Sequence, residues 1–263
     1  MASSERAERY ARVVAPTLLG VTRRAVAASG IEAAGSLLDA GTNTGLAAFL
    51  AATVVQHDGS VVAIDPDEGF LAVGEARATA AGYRAIRWQA MALGALPYAH
   101  ESFDASVSVH AMDLVADPVL LIEELRRVTV EGGAVVVANW GAPRENEWIG
   151  AVERAVSRAG GPTLPRAAVV AEPGNLEALM QAAGLAEVEG VRFGDPLRVQ
   201  GIEGFWEWVS GIRPWAAALA GLDDDVRMRA KDRLGREFEG RTRGGELAIG
   251  REMTLVRATV PPM

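Results

Sequence analysis

Between residues 5 and 29 the apolar positions Val13, Val14, Leu18, Val21 and Val26 recur at helical spacing, with Pro16 interrupting the run. The next apolar run, SLLDA, is too short for a helix and leads directly into GTNTG, so it reads as a buried strand that ends in a tight turn. LAAFLAATVV (46–55) fits a buried helix opening from that turn. The rhythm then repeats: a strand over 59–67, a helix over 70–82 closed by Gly82, and strands over 85–91 and 105–112. DPVLLIEELRRVTVEGG reads as a helix with C-terminal glycines, and AVVVANW (134–140) as a fifth strand. Alternation of this kind predicts right-handed crossovers and a parallel sheet covered by helices on both faces.

The last third departs from that rhythm. NLEALMQAAG (175–184) predicts a helix, LAEVEGVRF a strand, residues 205–238 a helical stretch, and REMTLVRATV (251–260) an alternating strand at the end. The two strands are expected to pair antiparallel and close the sheet. The fold class expected is therefore α/β: a Rossmann-like, mostly parallel seven-stranded sheet with helices on both faces, an antiparallel C-terminal edge strand and a helical cap. One domain spans 1–263, with an N-terminal helical cap (1–34), a binding core (35–140) and cap insertions over 141–170 and 200–245. RENEWIGAVERAVSRAG within the first insertion reads as a solvated helix with one buried face.

The turn after SLLDA carries the first chemical signal. Gly41, Asn43 and Gly45 all tolerate positive φ, which is more than a bend needs. In a doubly wound sheet this loop lies at the strands' carboxyl edge, where ligands bind and where backbone amides can approach them. Asp65 ends the second strand, where an acid can accept hydrogen bonds from ribose hydroxyls. The spacing GTNTG is out of register with the dinucleotide pattern G-x-G-x-x-G, and Asp39 at the first strand's end would repel a pyrophosphate. A positively charged ligand group suits Asp39 better. S-adenosylmethionine offers an ammonium, two ribose hydroxyls and no phosphate.

Charge and composition narrow the partners. A net charge of −8 argues against a nucleic-acid footprint, and 49% hydrophobic residues supply a sizeable core. The absence of cysteine excludes disulfides, thiolate metal sites and a cysteine nucleophile. The first residues, MASSERAERYARVV, lack the apolar stretch of a signal peptide, and no apolar run reaches the length of a membrane span. A soluble cytoplasmic protein with a small-molecule partner is the expectation; the oligomeric state is left open.

Taken in order, DAGTNTG, AIDPD, LPYAHESFD and DPVLLIEELRRVTVEGGAVVVANW resemble class I S-adenosylmethionine-dependent methyltransferases. Within that family they are most similar to the small-molecule branch that includes ubiquinone and menaquinone biosynthesis enzymes. The resemblance implies that Asp39, Gly41, Thr42, Asn43 and Gly45 hold the methionine end of the cofactor and Asp65 its ribose. It places Pro66 on one side of the adenine and Ala92 and Leu93 on the other. S-adenosyl-L-homocysteine would be the product. Two departures stand out: Asn43 where the family usually has glycine, and Ala92 where many relatives place an acid for the adenine amino group.

Methyl transfer from a sulfonium rests on alignment and needs neither a metal nor an enzyme nucleophile. His110, directly after the fourth strand, is the candidate general base, set against a plain strand-end histidine; Asp113 reads better as a helix cap. Five of the six tryptophans lie at or beyond residue 140, with Trp88 the exception, so the acceptor pocket is expected to draw on Tyr10, Trp140, Trp148, Trp206 and Arg213, with an apolar or aromatic acceptor. A cap core of its own would use the same tryptophans. The competing readings are a non-methylating relative that keeps the cradle for another reaction such as a cyclisation, a nicotinamide dehydrogenase, and a binding module.

Overall fold

The short apolar run SLLDA becomes an interior strand of the sheet. In the computed structural model, which describes residues 2–165, 172 and 174–262, SLLDA forms β1 (Ser36–Ala40) with Leu37, Leu38 and Ala40 fully buried. β2 (Ser60–Asp65) and β3 (Ile86–Ala90) lie on one side of it, and β4 (Phe103–Val109) and β5 (Thr129–Trp140) on the other. All these neighbours run parallel, with Leu38 level with Val62 and Ser106. β6 (Ala186–Gly194) is outermost, and the C-terminal strand inserts between β5 and β6, antiparallel to both. The expected antiparallel edge pair is therefore present, with the chain's last strand as its inner member.

Successive residues point to opposite faces, and the sequence uses both. Leu37, Val61, Val107 and Val136 face one core; Leu38, Val62, Val135 and Val137 face the other. The first core is shared with the N-terminal segment, with α3 (Leu46–Val55) and with the cap. The second is closed by α5 (Pro118–Val128) and α7 (Asn175–Ala182). α4 (Glu68–Ala81) begins from the Asp67 cap, whose side chain accepts a hydrogen bond from the Gly69 amide.

The N-terminal run is helical but not uniform. α1 (Ser3–Arg9) passes into a π-helical turn at Tyr10–Val14 and a 3-10 turn at Ala15–Leu18 before α2 (Leu19–Ala28). Pro16 supplies no amide, so the regular ladder breaks around it. α6 (Glu147–Arg158) buries Trp148, Ile149, Val152 and Val156 along one face, as its pattern requires. The rest of the cap comprises α8 (Gly201–Val209), α9 (Arg213–Ala220) and α10 (Asp224–Glu237). Residues 166–170 of the expected 141–170 insertion lie outside the described residues.

One element was not anticipated. β7 (Leu197–Gln200), β8 (Thr242–Arg243) and β9 (Glu246–Ile249) form a second, three-stranded antiparallel sheet beneath the cap, and β10 (Glu252–Thr259) is the C-terminal strand already placed. Its strands have four residues or fewer, too few for a period-2 signal to stand out beside long helical stretches. Among the described residues no helix is long and apolar enough to cross a membrane.

Candidate functional site

The loop from β1 to α3 takes up the backbone its residues permit. Gly41, Asn43 and Gly45 have φ of 75°, 54° and 89°. Packing adds a second reason for the glycines. A Cβ on Gly41 would stand 2.1 Å from the Cβ of Ala111, and one on Gly45 would stand 2.3 Å from the Trp88 ring. Gly41→Ala is accordingly expected to lower unfolding stability by about 2–4 kcal/mol, overpacking and left-handed strain together, as measured by urea denaturation.

The loop's amides are used differently from the sequence expectation. Gly41 and Thr42 both donate to the Ile64 carbonyl, Gly45 donates to the Thr42 carbonyl, and Asn43 donates to Asp65. These four amides tie the loop to β2 and to itself, so they are not aimed at a ligand. The short turn folds back on the neighbouring strand because a buried amide must find a partner. The buried Thr44 hydroxyl has no hydrogen-bond partner among the described residues.

Asp39 is 1% exposed. Its Oδ2 accepts from the Thr42 hydroxyl at 2.6 Å and from the Ala48 amide at 2.9 Å, so it caps α3 from the strand before the loop. Burial raises its pKa to about 7, against the lowering effect of these two bonds.

Asp65 is fully buried and more heavily engaged. One oxygen accepts from the Asn43 amide (3.0 Å) and from Arg213 Nη1 (2.7 Å). The other accepts from the Asp67 amide (2.9 Å) and from Arg213 Nη2 (3.0 Å). Arg213 thus makes a bidentate pair with the acid at the end of β2 from the first position of cap helix α9. It also donates to the Asn43 side chain and lies 4.1 Å above the Phe70 ring.

His110 follows β4 with φ of 53°, and its amide donates to the Ala138 carbonyl. Asn139 Oδ1 already accepts from the Trp140 amide, so it is an acceptor toward the imidazole: His110 Nδ1 donates to it across 3.2 Å. That assignment leaves Nε2 as a bare lone pair, buried and without a partner among the described residues. Burial lowers the His110 pKa to about 3, with Arg251 adding to the effect and Asn139 opposing it. Asn139 was missed by sequence reasoning, although a polar residue near the end of the valine-rich strand was a usable signal.

Two small cavities, each of about 20 Å³, adjoin this loop. One is lined by Tyr10, Asn43, His110, Asp113, Trp140 and Arg213, the other by Tyr10, Asp39, Gly41, Thr42 and Asn43, each with further apolar residues. Tyr10 lines both, and burial pushes its phenol pKa well above the usual value. Pro66 and Ala92 are exposed beyond the ends of β2 and β3, while Leu93 is buried beneath, in contact with the Gly41 position.

Two expected pocket residues are elsewhere. Trp148 is enclosed edge-to-face by Trp140, Trp208 and Trp215, with its indole N–H donated to Asn146. Trp206 lines a wider cleft of about 750 Å³ with Glu5, Arg9, Glu203 and Lys231, which includes no loop residue. The cap needs its own apolar core, and these indoles supply it.

Residues 38–137 match the family described as the methyltransferase domain, a segment that holds the glycine loop, Asp65 and His110. Phosphatidylethanolamine N-methyltransferase of Cereibacter sphaeroides is 30% identical over 137 residues, which is 52% of this chain and 65% of that protein. A candidate methyltransferase of Bacillus halodurans shares the fold with a TM-score of 0.66 at 18% identity, covering 92% of this chain and all of the other. Phosphoethanolamine N-methyltransferase 2 of Haemonchus contortus, solved with S-adenosyl-L-methionine, matches with a TM-score of 0.56 at 15% identity, over 92% of this chain and 53% of its own. These comparisons mark residues 38–137 as similar to a methyltransferase domain, and the chain spans just under two thirds of the curated relative it matches.

Proposed function

We propose that the whole chain transfers a methyl group from S-adenosyl-L-methionine to a small apolar or aromatic acceptor, leaving S-adenosyl-L-homocysteine. The observation that carries this is a pair of buried acids, Asp39 and Asp65, at the carboxyl ends of adjacent parallel strands, with a left-handed loop between them. The donor set suits the cofactor: a carboxylate for an ammonium at Asp39, and a second for ribose hydroxyls at Asp65. Gly41, Thr42, Asn43 and Gly45 shape the methionine end, and Pro66, Ala92 and Leu93 the adenine end. Space is the remaining requirement. Cavities of about 20 Å³ hold roughly one water, whereas ligand sites span about 300–1,000 Å³, so Tyr10 and Arg213 must move to admit the cofactor.

When bound, the cofactor supplies a methyl group already activated on sulfonium. The chain's part is to align the acceptor and exclude water. Tyr10, Trp140 and Arg213 stand at the cavity wall for that role, while Trp148 and Trp206 support the cap. His110 presents a lone pair at Nε2 that can accept a hydrogen bond from the acceptor. A base of pKa about 3 holds few protons at neutral pH, so His110 orients more than it deprotonates. His110→Ala is then expected to reduce turnover only about tenfold, below the usual range for removing a general base. At saturating cofactor the wild-type rate should show no histidine-like inflection between about pH 5 and 8.

The branch closest to ubiquinone and menaquinone biosynthesis enzymes, a cytoplasmic location and the division into core (35–140) and caps belong to the same reading. The test is transfer of labelled methyl from S-adenosylmethionine to a panel of aromatic and polyketide-like acceptors, with the S-adenosylhomocysteine product measured alongside. Binding of S-adenosylhomocysteine without turnover on any acceptor would favour the non-methylating alternative.

A further inference from the structure

The Asp65 carboxylate has two oxygens and about four acceptor positions, and all four are taken: two by the amides of Asn43 and Asp67, two by Arg213. The amides belong to the loop and the strand end and are fixed. Only the guanidinium can leave. On the reading that Asp65 receives the ribose, the ribose and Arg213 compete for the same two positions. Arg213 is 12% exposed, so once released it is a nearly buried cation in need of a new anion. It lies over the Phe70 ring and lines the cavity shared with Tyr10, His110 and Trp140, on the reading that the acceptor belongs there.

We infer that the acceptor carries a small oxyanion, a carboxylate or a phosphate, and that Arg213 exchanges Asp65 for that group when the cofactor is bound. A planar guanidinium suits either oxyanion through the same bidentate fork it now offers Asp65. Arg213 is in this sense a specificity residue: it joins the two binding events, since each ligand removes one half of a pair that the other needs. The inference rests on the cofactor assignment above.

The experiment is calorimetry of S-adenosylhomocysteine with wild type and Arg213→Met, each alone and in saturating benzoate, phenyl phosphate or neutral benzyl alcohol. Wild type is expected to bind S-adenosylhomocysteine about tenfold or more tightly with benzoate or phenyl phosphate present and to ignore benzyl alcohol, an ordinary size for coupling between sites. The stronger of the two anions identifies the oxyanion. Arg213→Met is expected to bind S-adenosylhomocysteine more tightly than wild type without any anion and to be indifferent to both. Equal or weaker binding by Arg213→Met overturns the competition. Anions that tighten both proteins, or neither, overturn the receiving role and send the freed guanidinium to a protein carboxylate instead. Should Arg213→Met fail to fold by circular dichroism, Arg213→Lys keeps the charge and loses the fork: tighter S-adenosylhomocysteine binding with a weakened anion response is expected, and wild-type behaviour in both overturns the inference. If no protein in the set binds S-adenosylhomocysteine, the cofactor assignment itself fails, which these readouts separate from failure of the exchange.

Discussion

Asp65→Ala is expected to lower the unfolding free energy by about 3–5 kcal/mol in urea denaturation, the scale on which breaking one side of a buried ion pair destabilises a protein. The side chain of Asp65 is fully buried and that of Arg213 only 12% exposed, so the substitution leaves a guanidinium and two backbone amides without their acceptor. The same variant should lose affinity for S-adenosylhomocysteine. Adding Arg213→Met should recover much of the stability and none of the affinity, because it removes the stranded charge without restoring the acid. Equal stability of Asp65→Ala and the double variant would show that the pair contributes little and that the backbone bonds dominate.

The second large effect concerns pH. Burial raises the Asp39 pKa to about 7, so the folded protein binds a proton there that an unfolded chain, with a carboxylate pKa of about 3.9, releases. Stability from this residue is therefore fully present below about pH 4 and is lost as pH rises through about 7. On the proposed cofactor assignment, binding has the opposite dependence. An ammonium beside Asp39 favours the carboxylate, so binding must expel the proton when the pH lies below 7. Affinity for S-adenosylhomocysteine is expected to fall up to about 30-fold between pH 8 and 5.5, with proton release visible as a buffer-dependent binding enthalpy. Asp39→Asn should bind weakly at both values and show no such slope. A wild-type affinity that does not change over that range would place the ammonium away from Asp39.

The core of the fold was legible because it is written in repeated local signals. SLLDA, VVAID and AVVVANW are buried on both faces and bounded by turns, and Gly41, Asn43 and Gly45 can all take the left-handed backbone that they adopt. What escaped was set by tertiary pairing. The second sheet is built from strands of two to four residues that are recognisable only once β7 meets β9. The Arg213–Asp65 pair spans 148 positions, and no period in the sequence links a cap arginine to a strand-end acid. Asp39 looked like a ligand residue and is also the cap of α3, because a carboxylate nine residues before Ala48 is brought to its amide only by the loop's fold. The tryptophans showed where the cap is, but their number could not divide them between pocket wall and cap core.

That indole cluster gives the molecule a built-in optical reporter. Trp140, Trp148, Trp208 and Trp215 are linked by edge-to-face contacts with centroids 4.9–6.0 Å apart, and the Arg251 guanidinium lies 5.5 Å from the Trp208 ring. Chromophores this close, held at fixed angles, share their excited states, so the far-ultraviolet dichroism of the protein should carry an exciton couplet superimposed on its helical signal. Trp215 lies two residues after Arg213 on the same helix. A shift of that helix would rotate one member of the coupled set and change the couplet while the backbone spectrum stayed constant.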